Sequence, residues 1–488
     1  MELQWNQSNC AYLRRNLWET QNLEQSQELR LPDGMPDIGR VICAWGQPVL
    51  RSKEWRKDGI AVTCGVTAWV LVAPEDGATP QCLEVWLPFQ AKWSLTDSQR
   101  EGAIRLNTCL RSIDARTLSA RKIMVRASLG LQVEAMEPME QAMYQPGELP
   151  DGVQVLHKTY PALLPREAGE KVFSLEEEAA VSGAAPGKIL YCRVYPVIAE
   201  QTVMGSRAVF KGNCKVRLLY MTENGAMEHW FAACPFAQYA DLDREYDKDA
   251  QLSVEMAVSS LETQVAENRI HIKCGLVGQY LVLDRQMIRL SEDAYSPWRS
   301  VKPTMELCKL PMILDRTQTQ FAVPAWVPED AKTVVDQSLF PDQPIQFREG
   351  ENMISQLGCL CQTLYYDEQG NLLSGMEPHH QQWQLPLSES GSAFVRIASE
   401  EMDEQGNAAL TMEAMTVSDQ EMPMISGLHM GDETKPDPNR PSLILCRAGN
   451  RSLWELAKAC GSTVDMIQKA NQLTGEPEAE NTLLIPVI

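Results

Sequence analysis

Three acidic turn signals recur along the chain at an almost constant distance. They are Glu75-Asp76-Gly77, Glu223-Asn224-Gly225 and Glu368-Gln369-Gly370, so their glycines lie 148 and 145 residues apart. A fixed period of this kind indicates repeated structural units, because a chance scatter of turns seldom produces it. We therefore expect three consecutive units that share one fold.

Each turn lies between two runs that are typical of β-strands. A run containing cysteine precedes every turn, and a run containing an aromatic residue follows it. Such runs on both sides of a glycine turn predict a β-hairpin. The paired runs are 62–72 with 83–89, 212–220 with 228–232, and 358–366 with 382–387.

Each unit ends on a further run in which apolar and polar residues alternate, at 123–129, 269–275 and 408–414. A period of two residues predicts a strand with one buried face. The expected fold class is therefore mainly β, with three tandem antiparallel, sandwich-like units. Helix is expected only in short linkers such as Ser174 to Ala180.

The last 46 residues predict a different, small α+β domain. Leu443 to Arg447 is an apolar run that suits a strand, and Leu484-Ile485-Pro486 suits a second strand ended by proline. Between them, Ser452 and Thr463 are expected to cap two helices, the first with Glu455 in a capping box. The predicted order is strand, helix, helix, strand (βααβ).

These patterns give a division of the chain into six segments. They are an N-terminal segment over 1–28, β units over 29–140, 165–290 and 300–420, a flexible linker over 421–442, and the α+β domain over 443–488.

Charge and composition restrict the partners. The chain has 44 basic and 65 acidic residues, a net charge of −21. Such a balance disfavours a sequence-independent grip on nucleic acid or on an anionic membrane. We therefore expect proteins or neutral glycans as partners, and no nucleic acid.

The compartment is also constrained. Residues 1–7 lack the basic start and apolar stretch of a secretory signal, and no run reaches the roughly 18 apolar residues of a membrane helix. The 14 cysteines are scattered through predicted strands, as buried thiols in a reducing cytosol are. We expect a cytoplasmic protein without membrane insertion.

Catalytic signatures are absent from the sequence. None of the six histidines stands in an HExxH or triad motif, and no phosphate loop or nucleophile elbow is present. Cys359 and Cys361 share a strand face, but no second pair accompanies them, which favours core packing over a metal or redox site. The expectation is no enzyme, no cofactor and no metal.

The C-terminal domain resembles the LysM family. The residues that carry the resemblance run from Ser452-Leu453-Trp454-Glu455-Leu456-Ala457 through 461–464 and 470–473 to Leu484-Ile485-Pro486. The resemblance implies two helices packed on a two-stranded antiparallel sheet. It also implies a groove between the loop after the first strand and the loop after the second helix, where many members hold N-acetylglucosamine polymers.

The groove residues implied by the resemblance are Asn450, Arg451, Ser452, Leu453, Asn471, Gln472 and Leu473. The family usually has Gly-Asp-Thr where this chain has Asn450-Arg451-Ser452, so a short acid is replaced by a long cation. We expect this change to weaken sugar binding. Two alternatives stay open for the groove, a protein partner and an N-acetylglucosamine-containing glycan, and Leu453, Leu473 and Asn471 can instead serve as core and cap.

The order of three β units followed by this domain resembles the SipL and SpoVID group of spore-coat morphogenetic proteins, whose β-rich repeats are called SPOCS domains. The run 31–42, with its Pro-Asp turn, and the hairpin around Cys214 to Gly225 carry the resemblance. It implies an adaptor in the mother-cell cytoplasm at the forespore surface. The implied partners are the ATPase that forms the basement of the coat and other coat proteins.

Overall fold

The computed structural model describes residues 2–3, 5–95, 100–180, 185–266, 269–350, 352–385, 391–418, 421–433 and 440–488. The chain is mainly β, as expected, with two short helices near the C-terminus. Within the described ranges, no helix is both long enough and apolar enough to cross a membrane.

The first repeat consists of two antiparallel sheets. A short strand, β1 (Glu2–Leu3), precedes them. The six strands of the repeat are β2 (Trp5–Arg30), β3 (Ile38–Arg56), β4 (Gly59–Pro74), β5 (Gln81–Ser94), β6 (Ala103–Ser119) and β7 (Lys122–Pro146). One sheet has the order β3-β4-β5 and the other the order β2-β7-β6.

The second repeat has the same plan. Its strands are β8 (Gln154–Ala180), β9 (Pro186–Thr222), β10 (Met227–Tyr246), β11 (Gln251–Ala266) and β12 (Arg269–Tyr295). The long β9 doubles back near Gly205, where φ is +61°, so that Gly212 lies against the Val197 carbonyl. Glycine suits this reversal because it adopts positive φ without steric cost.

The third repeat repeats the plan with additions. Its strands are β13 (Arg299–Cys308), β14 (Ile313–Val323), β15 (Ala331–Pro341), β16 (Ile345–Glu349), β17 (Asn352–Asp367), β18 (Leu372–Leu385), β19 (Gly391–Met402), β20 (Ala408–Ser418) and β21 (Met422–Glu433). The same pairing recurs in the three sandwiches: β2 with β7 and β7 with β6, β8 with β12 and β12 with β11, and β14 with β20 and β20 with β19.

The two sheets of each repeat enclose their own hydrophobic core. In the first repeat Val66 and Leu87 pack against Leu110 and Val125, which belong to the opposite sheet. The second and third repeats have equivalent clusters. Each repeat is therefore a sandwich.

The three predicted hairpins are present. β4 pairs with β5, β9 with β10, and β17 with β18, each across one of the repeated acidic turns. The turn glycines Gly77, Gly225 and Gly370 have φ of +75°, +82° and +83°. This left-handed backbone explains why each turn ends on glycine. Pro386 and Leu387, the end of the third predicted return strand, lie outside the described residues.

The structure corrects two expected segment boundaries. Residues 1–28 are not a separate segment, because β2 pairs with β7 from Trp5 to Arg30. The second repeat extends beyond 165–290, since β8 begins at Gln154 and β12 ends at Tyr295. The polar composition of β2 hid its strand character, because much of this edge strand faces solvent.

The expected flexible linker over 421–442 is wrong for most of its length. β21 (Met422–Glu433) pairs with β13, and Met422, Met424, Ile425 and Leu428 are buried. Burial of these apolar residues stabilises a strand here, although the Gly, Asp and Pro content of the segment predicted a flexible linker. Residues 434–439 lie outside the described residues.

The expected helical linker from Ser174 to Ala180 is also a strand. It forms the end of β8 and pairs with β12, Leu175 opposite Cys274. Its Glu and Ala content favours a helix locally, but propensity is a weak preference that pairing with a neighbouring strand overrides.

Beyond the sandwiches, the two ends of each repeat form a two-stranded antiparallel ladder, and the three ladders pack side by side. We call this bundle the stalk, comprising 5–15 with 136–146, 154–164 with 284–295, and 299–308 (β13) with 422–433 (β21). Its core brings together Tyr12, Leu164, Leu290 and Met424, so all three repeats contribute. β1 adds to its edge through Leu3 opposite Leu428.

Equivalent positions of the three repeats meet at a buried carboxylate. Trp45, Tyr191 and Asp336 are 146 and 145 residues apart. Asp336 accepts hydrogen bonds from Trp45 Nε1 at 2.8 Å, from the Tyr191 hydroxyl at 2.7 Å and from Arg217 at 3.0 Å. His229 Nε2 lies 2.9 Å from the same carboxylate. We call these five residues the Asp336 cluster.

A second buried network joins the other sheets of the three repeats, those that do not carry the Asp336 cluster. Its cross-strand pairs are Arg105 with Glu134, Glu255 with Gln279, and Arg396 with Glu413. Arg396 bonds both Glu255 (2.8 Å) and Glu413 (3.1 Å), and Arg105 bonds Glu134 (2.9 Å). Burial and the neighbouring Arg396 charge lower the pKa of Arg105 to about 10. Charges of all three repeats therefore neutralise one another inside the protein.

The Asp336 cluster predicts acid sensitivity. Burial alone would raise the pKa of Asp336. The charge of Arg217 and the hydrogen bonds from His229 and Tyr191 outweigh burial, so the pKa lies well below its usual value. A depressed carboxyl pKa stabilises the fold fully at a pH well above the unfolded value of about 3.9. This stability is lost progressively as the pH falls from about 5 through that value towards the folded pKa.

We expect Asp336→Asn to lower the free energy of unfolding by about 3 to 5 kcal/mol at pH 7, because it leaves Arg217 buried without its partner. The variant should also lose less stability than the wild type between pH 5 and pH 3. Urea midpoints at each pH measure both effects. Asp241→Asn, at an exposed pair with Arg207, is the matched control. Equal midpoints for wild type and Asp336→Asn at pH 7 would contradict the prediction.

Candidate functional site: the C-terminal module

Residues 443–488, called the module below, contain two strands and two helices. They are β22 (Leu443–Arg447), α1 (Leu453–Cys460), α2 (Val464–Asn471) and β23 (Thr482–Pro486), with β22 antiparallel to β23. This order agrees with the one expected from the sequence.

The helices begin and end where the capping residues indicate. Ser452 and Glu455 form a complete capping box at α1, and the Thr463 hydroxyl accepts from Met466 N at α2. Gly461 ends α1 with φ +64°, a conformation for which glycine is favoured. Each cap satisfies main-chain groups that the helix itself leaves unpaired.

The two loops of the implied groove are brought together. The Leu453 amide at the start of α1 donates to the carboxylate of Glu476, which follows α2, at 2.8 Å. Leu453 itself is buried in the module core, and Leu473 packs against that core from a half-buried position. The core interpretation therefore describes both leucines.

Arg451 does not extend across the groove. Its guanidinium folds back on β22, where it donates to Cys446 Sγ at 3.0 Å and to the Arg447 carbonyl at 3.1 Å. Asn450, beside it, is exposed, and the Ser452 side chain is engaged in the capping box. The first loop thus presents Asn450 and the stem of Arg451 to a ligand.

The second loop is also largely engaged within the module. Asn471 donates from Nδ2 to the Ile467 carbonyl (2.8 Å) and to the Leu484 carbonyl (2.6 Å), which ties α2 to β23.

The C-cap of α2 is Gln472, not Asn471, with φ +55°. Gln472 is the only described non-glycine residue with positive φ, and its side chain is exposed. Replacing it by alanine would therefore strain the backbone, whereas asparagine or glycine would fit.

A contact that sequence reasoning missed fastens the module to the end of β12. We call it the latch, formed by Asp293 and Tyr295 of the second repeat with Trp454, Lys458 and Ser462 of the module. Asp293 accepts from Trp454 Nε1 at 2.8 Å and from Lys458 Nζ at 2.7 Å. The Tyr295 hydroxyl donates to the Ser462 carbonyl at 3.0 Å. The rings of Tyr295 and Trp454 meet edge to face at 4.8 Å.

The electrostatics of the latch follow from its partners. Burial raises the pKa of Asp293, but the hydrogen bonds from Lys458 and Trp454 outweigh it, so the pKa is lowered overall. Burial also raises the pKa of Tyr295 to about 12, which keeps its hydroxyl protonated as a donor. The only sequence signal for this contact was Trp454, a large aromatic on α1. Nothing in the sequence pointed to its partners in the second repeat.

We expect Lys458→Ala to loosen the module from the stalk while leaving its fold intact, because the Lys458 side chain contacts Asp293 and is otherwise half exposed. Amide exchange at the end of β12 and in α1 should rise at least several-fold. Lys469→Ala is the control, since Lys469 is an exposed lysine in the last turn of α2. Unchanged exchange in Lys458→Ala, or an equal rise in both variants, would show that the latch does not hold the module.

Comparison with known proteins identifies no relative. No protein-family model, no curated protein and no solved structure matches this chain.

Proposed function

We propose that this chain is a non-enzymatic adaptor of spore-coat assembly. In this proposal it works in the mother-cell cytoplasm, at the forespore surface. Its LysM-like module and its β repeats dock on the ATPase of the coat basement and on other coat proteins. The sequence resemblance to the SipL and SpoVID group is the source of this partner assignment.

The observation that carries the proposal is the arrangement of one small module on a large, firmly joined body. Three sandwiches, each with a core built mainly from its own strands, are held together by the Asp336 cluster and the arginine–glutamate network. The module is mounted at the tip of the stalk, where much of its surface faces solvent. An adaptor needs such a body to position a binding unit at a distance.

The thiols support a reducing compartment. All 14 cysteines lie in described residues and all are free, and most are buried. Burial raises the pKa of Cys64 and of Cys82 to about 12, so these thiols stay protonated and unreactive. Buried free thiols at so many positions suit a cytoplasmic protein.

We expect a chain truncated before Leu443 to lose the coat-basement ATPase while its three repeats stay folded, because each repeat has its own core. Co-purification from sporulating cells measures capture, and thermal unfolding checks the fold. Leu456→Ala should behave like the truncation, since Leu456 is fully buried and its loss costs roughly 2 to 5 kcal/mol in a small domain. Capture of the ATPase at the wild-type level by the truncated chain would place the docking surface on the repeats.

The glycan alternative predicts a different outcome. Because Arg451 and Asn471 are engaged within the module and Leu453 is buried, we expect weak binding of chitin oligomers. Calorimetry on the full chain decides between the two functions. A dissociation constant near micromolar, about 8 kcal/mol, would favour the glycan binder.

A further inference from the structure

The main chain of β22 bonds to β23 only through alternate residues. Beyond the ends of the pair, the Ser442 carbonyl accepts from Val487 N, and Ala448 N donates to the Asn481 carbonyl, both within 3.0 Å. In an antiparallel ladder hydrogen-bonded and non-hydrogen-bonded pairs alternate. The even-numbered residues of β22 therefore bond to β23, and the odd-numbered residues direct their N–H and C=O groups away from it.

The outer edge of β23 is closed by a side chain. Asn471 Oδ1 accepts from Leu484 N at 2.7 Å, and Asn471 Nδ2 donates to the Leu484 carbonyl at 2.6 Å. The amide of Asn471 thus occupies the position of a neighbouring strand. It leaves β22 as the open edge of this two-stranded sheet.

The open edge is apolar. Leu443 and Leu445 have their outward main-chain groups unpaired within the described part of the chain. Their side chains are 53% and 73% exposed, and Leu484, opposite Leu445, adds a further exposed leucine to the same face. Proteins usually protect an exposed edge with charged side chains, proline or a bulge. β22 has one charged residue, Arg447 at its end, and neither a proline nor a bulge.

We propose that β22 is a docking edge to which a partner protein adds one extended strand. The added strand bonds to the outward N–H and C=O groups of Leu443 and Leu445 and to the N–H of Arg447, whose carbonyl already accepts from Arg451. It covers the leucine face with aliphatic side chains at alternate positions. Arg447 lies at the end of the edge, with its side chain 69% exposed and only a long 4.0 Å contact to the exposed Glu480, so it selects an acidic residue there. The inference rests on the proposed function, in which this module is the docking unit.

Two observations favour a partner protein over a second copy of this chain. Antiparallel pairing of β22 with its own copy, centred on Leu445, would set Arg447 against Leu443 of the copy, without an acidic partner. Each copy would also bring a net charge of −21 to the contact.

Residue-resolved hydrogen exchange on the full chain, with and without the purified coat-basement ATPase, tests whether the outward amides of β22 become protected on binding. We expect at least tenfold new protection of the amides of Leu443, Leu445 and Arg447, and none at Ile444 or Cys446, which already bond to β23. Protection elsewhere in residues 443–488 without protection of these three amides overturns the inference and leaves the proposed function standing. Absence of any protection in 443–488 overturns both.

Two substitutions of Leu445 distinguish the contribution of its main-chain N–H to binding from the contribution of its side chain. Leu445→Pro removes the outward N–H without removing a bond to β23, so the module should fold and the affinity for the ATPase should fall at least tenfold. Leu445→Thr keeps the N–H and should stay within about threefold of wild type. Wild-type affinity of a folded Leu445→Pro, or an equal loss in both variants, overturns strand addition.

Should Leu445→Pro fail to fold, Leu445→Lys serves instead, because a charged side chain on an edge opposes an added strand. Leu484→Lys is its control on the same face, at the edge that Asn471 already closes. We expect the larger loss of affinity at Leu445, and an equal loss at both positions overturns the inference.

Discussion

The carboxylate of Asp336 is the point on which the assembly of the three repeats depends. It comes from the third repeat and is almost fully buried, yet its partners come from the other two, Trp45 from the first and Tyr191, Arg217 and His229 from the second. A buried charge is tolerated only when its partners are in place, because an unpaired one costs several kcal/mol. The cluster therefore favours one arrangement of three sandwiches that each have their own core.

The arginine–glutamate network acts in the same way on the other sheets. Polar pairs at equivalent ladder positions face one another, and two of the three are arginine–glutamate pairs. Arg396 joins a carboxylate of its own repeat to Glu255 of the second. A body assembled in this way gives the stalk, and the module at its tip, a defined position. That is the physical basis for proposing an adaptor.

Much of the fold could be predicted from the sequence. The spacing of Gly77, Gly225 and Gly370 located the hairpins, and the caps Ser452 and Thr463 located both helices. These features are local, since a left-handed turn or a helix cap depends on a few neighbouring residues. The strand at 422–433 was missed because its Gly, Asp and Pro content concealed buried Met422 and Met424.

The site was predicted less well, for a physical reason. The resemblance named residues of two loops, but several of them are engaged in capping, in the core or in binding β23. The latch and the open edge of β22 depend on which main-chain groups remain unpaired after folding, and on residues such as Asp293 that lie far away in the sequence. Neither can be derived from a local pattern.

The most direct test of the account places a photo-crosslinking amino acid at an exposed position of the module or of the body, in sporulating cells. Leu484 on the module and Met287 on the second repeat are both exposed. Crosslinking to the coat-basement ATPase from position 484 but not from position 287, in the mother cell, is the result the account predicts. Crosslinking from position 287 alone would contradict it.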